Sequence, residues 1–63
     1  MQQKLEDLQA RLRDISDEIG DLSITLLRDA VEAGATQRPP LDKTLSRVRR
    51  SVDKAAALLE SEL

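Results

Sequence analysis

Four carboxylates, Asp14, Asp17, Glu18 and Asp21, form the densest group of titratable side chains in the sequence. Their spacings of 3, 4 and 7 from Asp14 put them on roughly one flank of a helix. Paired carboxylates can act as acid and base, but only when burial or mutual coupling pulls their proton affinities apart. Helical bundles that hold two iron ions combine inward carboxylates with Glu-x-x-His pairs. This sequence has no His, and the four acids fall off its apolar stripe, so a solvated acidic flank is expected. Ser16, Ser23, Ser46, Ser51 and Ser61 have no His to activate them and no Gly-rich elbow around them. Cys is absent too, which removes disulfides and thiolate metal sites. Carboxylates alone make a poor closed zinc site, and neither Gly-rich phosphate-binding pattern occurs. The expectation is a protein that is not an enzyme and has no catalytic residue, metal or cofactor.

The cationic residues are better organised. Lys43, Arg47, Arg50 and Lys54 recur at spacings of 4, 3 and 4, with Arg49 nearby. Residues 1–33 carry 4 basic and 8 acidic groups, and residues 34–63 carry 6 and 4, for a net charge of −2. Such a split can steer an anionic partner toward the second half. It can equally let the basic half lie beside the acidic half of the same chain. The net acidity argues against nucleic acid as a partner, as does the absence of any Phe, Trp or Tyr on which bases could stack. The row is read as solvated or paired within the chain, with an acidic protein as the possible contact.

Two helices must position these groups. Leu5, Leu8, Leu12, Ile15, Ile19, Leu22 and Leu26 follow one another at spacings of 3 and 4 with no missed position, a heptad pattern for a helix with a packed seam. Taking Leu5 as a, the d column is Leu8, Ile15 and Leu22. Gly34 stands where a left-handed C-cap is wanted. Pro39 and Pro40 break helical geometry before them, and Pro40 suits the first turn of a new helix. Asp42 is favourably placed in that turn. Leu41, Leu45, Val48, Val52, Ala55 and Leu59 then repeat the 4, 3 spacing. The expected boundaries are helix 1 over about 2–33, a turn over 34–39 and helix 2 over about 40–62. A connection this short makes the helices antiparallel neighbours. Helix 2 should end opposite Arg11, leaving Met1, Leu5 and Leu8 with no partner in the chain.

Each helix carries more apolar surface than one neighbour can cover. Gly20, Ile24, Leu27 and Val31 make a second stripe beside the heptad seam, and Ser16, Gly20 and Ser23 make a groove of small residues that would admit another helix closely. Ala56, Leu58 and Leu63 add to the second helix. A 63-residue chain without disulfide or metal has oligomerisation as its remaining staple. The economical arrangement is an all-α, coiled-coil-like hairpin that dimerises into a four-helix bundle. The expected dimer interface is Leu5, Leu8, Leu12, Gly20, Ile24, Leu27 and Val31.

The segment "LRDISDEIGDLSITLLRDAVEAG", Leu12 to Gly34, resembles in outline the first helix of the all-helical chorismate mutases, with Arg13 and Arg28 in similar places. That family needs a third helix and further charged positions to hold a dianionic substrate. The chain departs from it there, and no catalytic residue is carried over. A resemblance that covers most of the chain is to short conserved actinobacterial proteins. It rests on "LLRDAVEAG" (Leu26 to Gly34), the Pro39-Pro40 turn and "LSRVRRSVDKAAALLE" (Leu45 to Glu60). It implies a helical hairpin and no known reaction.

The function expected from the sequence is a non-enzymatic dimerisation or scaffold module whose main partner is a second copy of itself. The first alternative is a small regulatory subunit that completes a helical bundle on a larger protein, and the second, ranked below it, is a small helical enzyme of the chorismate-mutase kind. No run approaches the roughly 20 apolar residues of a membrane span, and "MQQKLEDLQARL" lacks the apolar stretch of a secretory signal. A bacterial cytoplasmic location and no membrane partner are therefore expected.

Overall fold

The heptad-spaced aliphatic residues of the first half lie in one uninterrupted helix. The computed structural model describes all 63 residues and contains two helices, α1 over Gln2–Glu32 and α2 over Pro40–Glu60. Contacts between them run in reverse order. Arg13 of α1 meets Asp53 and Glu60 of α2, whereas Ser16 meets Arg49. The helices are therefore antiparallel, in a rod of 50 × 14 × 10 Å.

Both ends of the turn are set by the residues that sequence reasoning singled out. At the end of α1, the Gly34 N–H donates to the Val31 carbonyl (3.0 Å) and the Ala35 N–H to the Ala30 carbonyl (2.9 Å). These paired bonds satisfy carbonyls that the helix end would otherwise orphan, and they need a left-handed residue between them. Gly34 supplies it with φ of 85°. Pro39 is extended, at φ −58° and ψ 141°, and Pro40 opens α2. The Asp42 N–H then donates to the Pro39 carbonyl at 3.0 Å. The Arg38 guanidinium lies 3.4 Å from the Asp42 carboxylate, which is 9% exposed.

The packing line between the helices differs from the expected one. On α1 the residues turned toward α2 are Leu5, Gln9, Leu12, Ser16, Ile19, Ser23, Leu26 and Ala30, all buried or half-buried. On α2 the matching line is Asp42, Leu45, Val52, Ala56 and Leu59, with Arg49 on the same column as Asp42 and Ala56. In each helix one expected column is kept: Leu5, Leu12, Ile19 and Leu26 on α1, and Leu45, Val52 and Leu59 on α2. The other expected column is replaced by small or polar residues. Leu8, Ile15 and Leu22 are 46%, 43% and 53% exposed, and Leu41 and Val48 are 50% and 42% exposed. The physical reason is close approach. Ser16 and Ala56 are small, they are nearly fully buried, and short side chains let two helix backbones come together.

Candidate functional site

Apart from Asp42, which is buried, the titratable side chains lie along the surface of the two helices. Asp14, Asp17, Glu18 and Asp21 are all exposed, and none has an ion-pair partner. No three His, Cys, Asp or Glu side chains converge to hold a metal ion. Arg13 is spent on a structural role, bridging to Asp53 at 3.7 Å and Glu60 at 3.4 Å across the helix pair. Arg28 is exposed, and neither it nor Arg13 lines any concavity of the surface.

The surface is instead divided lengthwise. At 100° per residue, Arg13 and Gly20 fall on one side of the packed line of α1, and Leu8, Ile15 and Leu22 fall on the other. On α2, Ser46, Arg50 and Asp53 lie on one side, and Leu41, Val48 and Ala55 on the other. Antiparallel pairing brings like sides together. One flank of the hairpin holds the Arg13–Asp53 and Arg13–Glu60 pairs and the bond from Arg49 Nε to Ser16 Oγ at 3.2 Å. The opposite flank presents Leu8, Ile15, Leu22, Leu41 and Val48, with no polar bridge between the helices. This apolar flank is the best-defined candidate for an interaction site.

The residues expected at a dimer interface are not gathered on one face. Gly20 and Leu27 are half-buried, on the side of α1 that meets α2. The groove of Ser16 and Gly20 is occupied by the chain's own Arg49. Its guanidinium lies so close to Gly20 that a Cβ there would come within 2.9 Å of Nη1. Leu5 and Leu12 are half-buried on the packed line. Ile24 and Val31 are 58% and 73% exposed, on the polar flank and away from Leu8. Leu8 alone of the seven sits on the open apolar flank. The signal that would have placed the others was the column Asp42, Arg49 and Ala56, whose small and polar members match Ser16, Gly20 and Ser23.

Lys43, Arg47, Arg50 and Lys54 are all exposed, and none makes an ion pair within the chain. Lys43 and Arg50 help line an open, polar concavity of about 410 Å³ beside the turn, together with Arg38, Asp42 and Ser46. These cations sit at the outer edge of the charged flank, away from the apolar one. No helix is long and apolar enough to cross a membrane.

The fold and its surface define a two-helix hairpin with one unfinished apolar side. No protein-family model matches the sequence, and neither a curated protein nor a solved structure is found to be similar to it.

Proposed function

We propose that this hairpin is a non-enzymatic assembly module of the cytoplasm that pairs with a second copy, apolar flank to apolar flank, as a four-helix bundle. One observation carries the reading. Within the single chain only Ala56 among the hydrophobic residues is fully buried, while ten large aliphatic side chains are at least 42% exposed. Five of the ten, Leu8, Ile15, Leu22, Leu41 and Val48, share one flank. Completing the burial of a half-exposed Leu, Ile or Val is worth roughly 1 kcal/mol. A module of this kind acts by bringing two chains together, and its basic row remains free at the outer edge for an acidic contact.

The test is mass and melting as a function of concentration. A dimer sediments near twice the 7.0 kDa of the chain, and its melting temperature rises with protein concentration. A species of 7.0 kDa with a cooperative, concentration-independent melt overturns the proposal. A chain that is largely unfolded alone and folds only on a larger helical protein supports instead the role of a regulatory subunit.

A further inference from the structure

The geometry points to one arrangement of the two copies: α1 packs antiparallel against α1 of the second copy, about a two-fold axis between Leu12 and Ile15, with Arg11 of each copy paired to Glu18 of the other. This inference rests on the dimer proposed above and specifies how the same flank is used. Two apolar flanks can meet about a two-fold axis in two ways. The axis can run along the helices, which sets α1 against α2 of the other copy. It can instead run across them, which sets α1 against α1; with the axis between Leu12 and Ile15 the two α2 helices then lie toward opposite ends of the pair, and Leu41 of each stays outside the contact.

The unequal lengths of the helices separate the two. α2 ends at Glu60, whose carboxylate meets Arg13 at 3.4 Å, so about the first two turns of α1 run past its end, although Leu5 and Gln9 are still half-buried. With the axis along the helices, both projections lie at the same end and neither has a helix beside it. With the axis across them, each projection lies on the far half of the opposite α1. The heptad columns then interlock, a against d, as antiparallel helices require. Leu12 meets Ile15 of the second copy, Leu8 meets Ile19, Leu5 meets Leu22, and Met1 meets Leu26. Every layer is aliphatic, and Met1, 92% exposed in the single chain, gains a partner. The half-burial of the Leu5, Leu12, Ile19 and Leu26 column fits side chains shared between α2 and a second neighbour.

Charge makes the same choice independently. The column outside Leu8, Ile15 and Leu22 is Lys4, Arg11, Glu18 and Thr25, all exposed. It is basic in its first half and acidic in its second, so it complements itself only when two copies run in opposite directions. In the register above Arg11 lies against Glu18 of the second copy, twice by symmetry. Neither residue has an ion-pair partner in its own chain. Around Leu8 lies an open concavity of about 330 Å³ walled by Lys4, Asp7 and Arg11, two cations and one carboxylate, with the Arg11 side turned to the Glu18 turn of the other helix. The alternative arrangement would set Arg11 and Glu18 beside Thr44, Ser51 and Leu58, which carry no charge.

The experiment is a charge-swap cycle read as the dimer dissociation constant by sedimentation at low salt. Arg11→Glu and Glu18→Arg should each weaken the dimer about tenfold, because each creates two like-charge contacts. The double variant should return to within about threefold of the wild type, and the coupling should fade in 1 M salt, where screening is short-ranged. Mixing the two single variants should yield heterodimers in preference to either homodimer. Since the chain has no Cys, an equimolar mixture of Arg11→Cys and Glu18→Cys should also oxidise mainly to the mixed disulfide. Additive weakening in the double variant, with the wild type still dimeric, overturns this arrangement and leaves the dimer standing. A wild type that sediments at 7.0 kDa at every concentration overturns both.

Discussion

The two flanks of this hairpin use the same helices in opposite ways. On one, long polar side chains reach across the groove: Arg13 toward Asp53 and Glu60, and Arg49 toward Ser16. On the other, Ile15 and Leu22 share a side with Leu41 and Val48, Leu8 continues the apolar row past the end of α2, and nothing polar ties the helices together. The polar groups of the charged flank are satisfied by water and by their own partners, although Ile24 and Val31 on that side are 58% and 73% exposed. The apolar flank has water as its only cover. Exposed ion pairs contribute little net stability, whereas unburied aliphatic surface forgoes the dominant favourable term. The difference teaches that the polar bridges orient the two helices, while the apolar flank holds the surface from which the proposed assembly would draw its energy.

Four variants test this contrast, in decreasing order of effect. Ile15→Asp places a carboxylate at the centre of the apolar flank. An unpaired buried charge and a lost aliphatic contact should together destabilise the assembly by about 3 kcal/mol or more, seen as loss of the 14 kDa species (twice 7.0 kDa) and of helical circular dichroism. An unchanged mass and melt would show that this flank is ordinary wet surface. Ala56→Leu acts on the midline between the flanks. Ala56 is 0% exposed, so the added atoms must push the helices apart, at a cost of about 2 kcal/mol in thermal melts; a stabilised variant would show spare room at the contact. Gly34→Ala touches neither flank. Nothing lies within 4 Å of the added Cβ, so the cost is that of holding φ at 85°, about 1 kcal/mol, with the mass unchanged in sedimentation. Reversing Arg47 and Arg50 to Glu should be the mildest, below about 0.5 kcal/mol in denaturant titration, because neither residue is paired. A large loss there would mean that the charged flank also carries assembly energy.

Much of this architecture was legible from residue spacing. Seven aliphatic residues from Leu5 to Leu26 at spacings of 3 and 4 leave little choice but one long helix. Gly34 and the Pro39-Pro40 pair locate the turn because each residue type permits few backbone conformations there. The phase of the contact was not legible. An a/d seam says that a helix has an apolar stripe and not which neighbour covers it. Ile15 and Leu22 were expected to face α2, and they lie open because Ser16 and Ala56 permit a closer contact one column round. Arg49 was the hardest to place. A cation in the expected outer row of α2 gives no sign from sequence that its guanidinium will lie across Gly20. That contact depends on a missing Cβ 29 residues away, so it is a property of the pair and of neither residue alone.

The near-absence of a sealed interior in one copy bears on how its backbone amides trade protons with solvent. With Ala56 the sole hydrophobic residue out of water, a free hairpin opens readily and shields few amides for long. If two copies pair as proposed, slow deuterium uptake in the middle of α1 would time their separation, and it should quicken as the sample is diluted. Isotope exchange would then serve as a clock for subunit turnover.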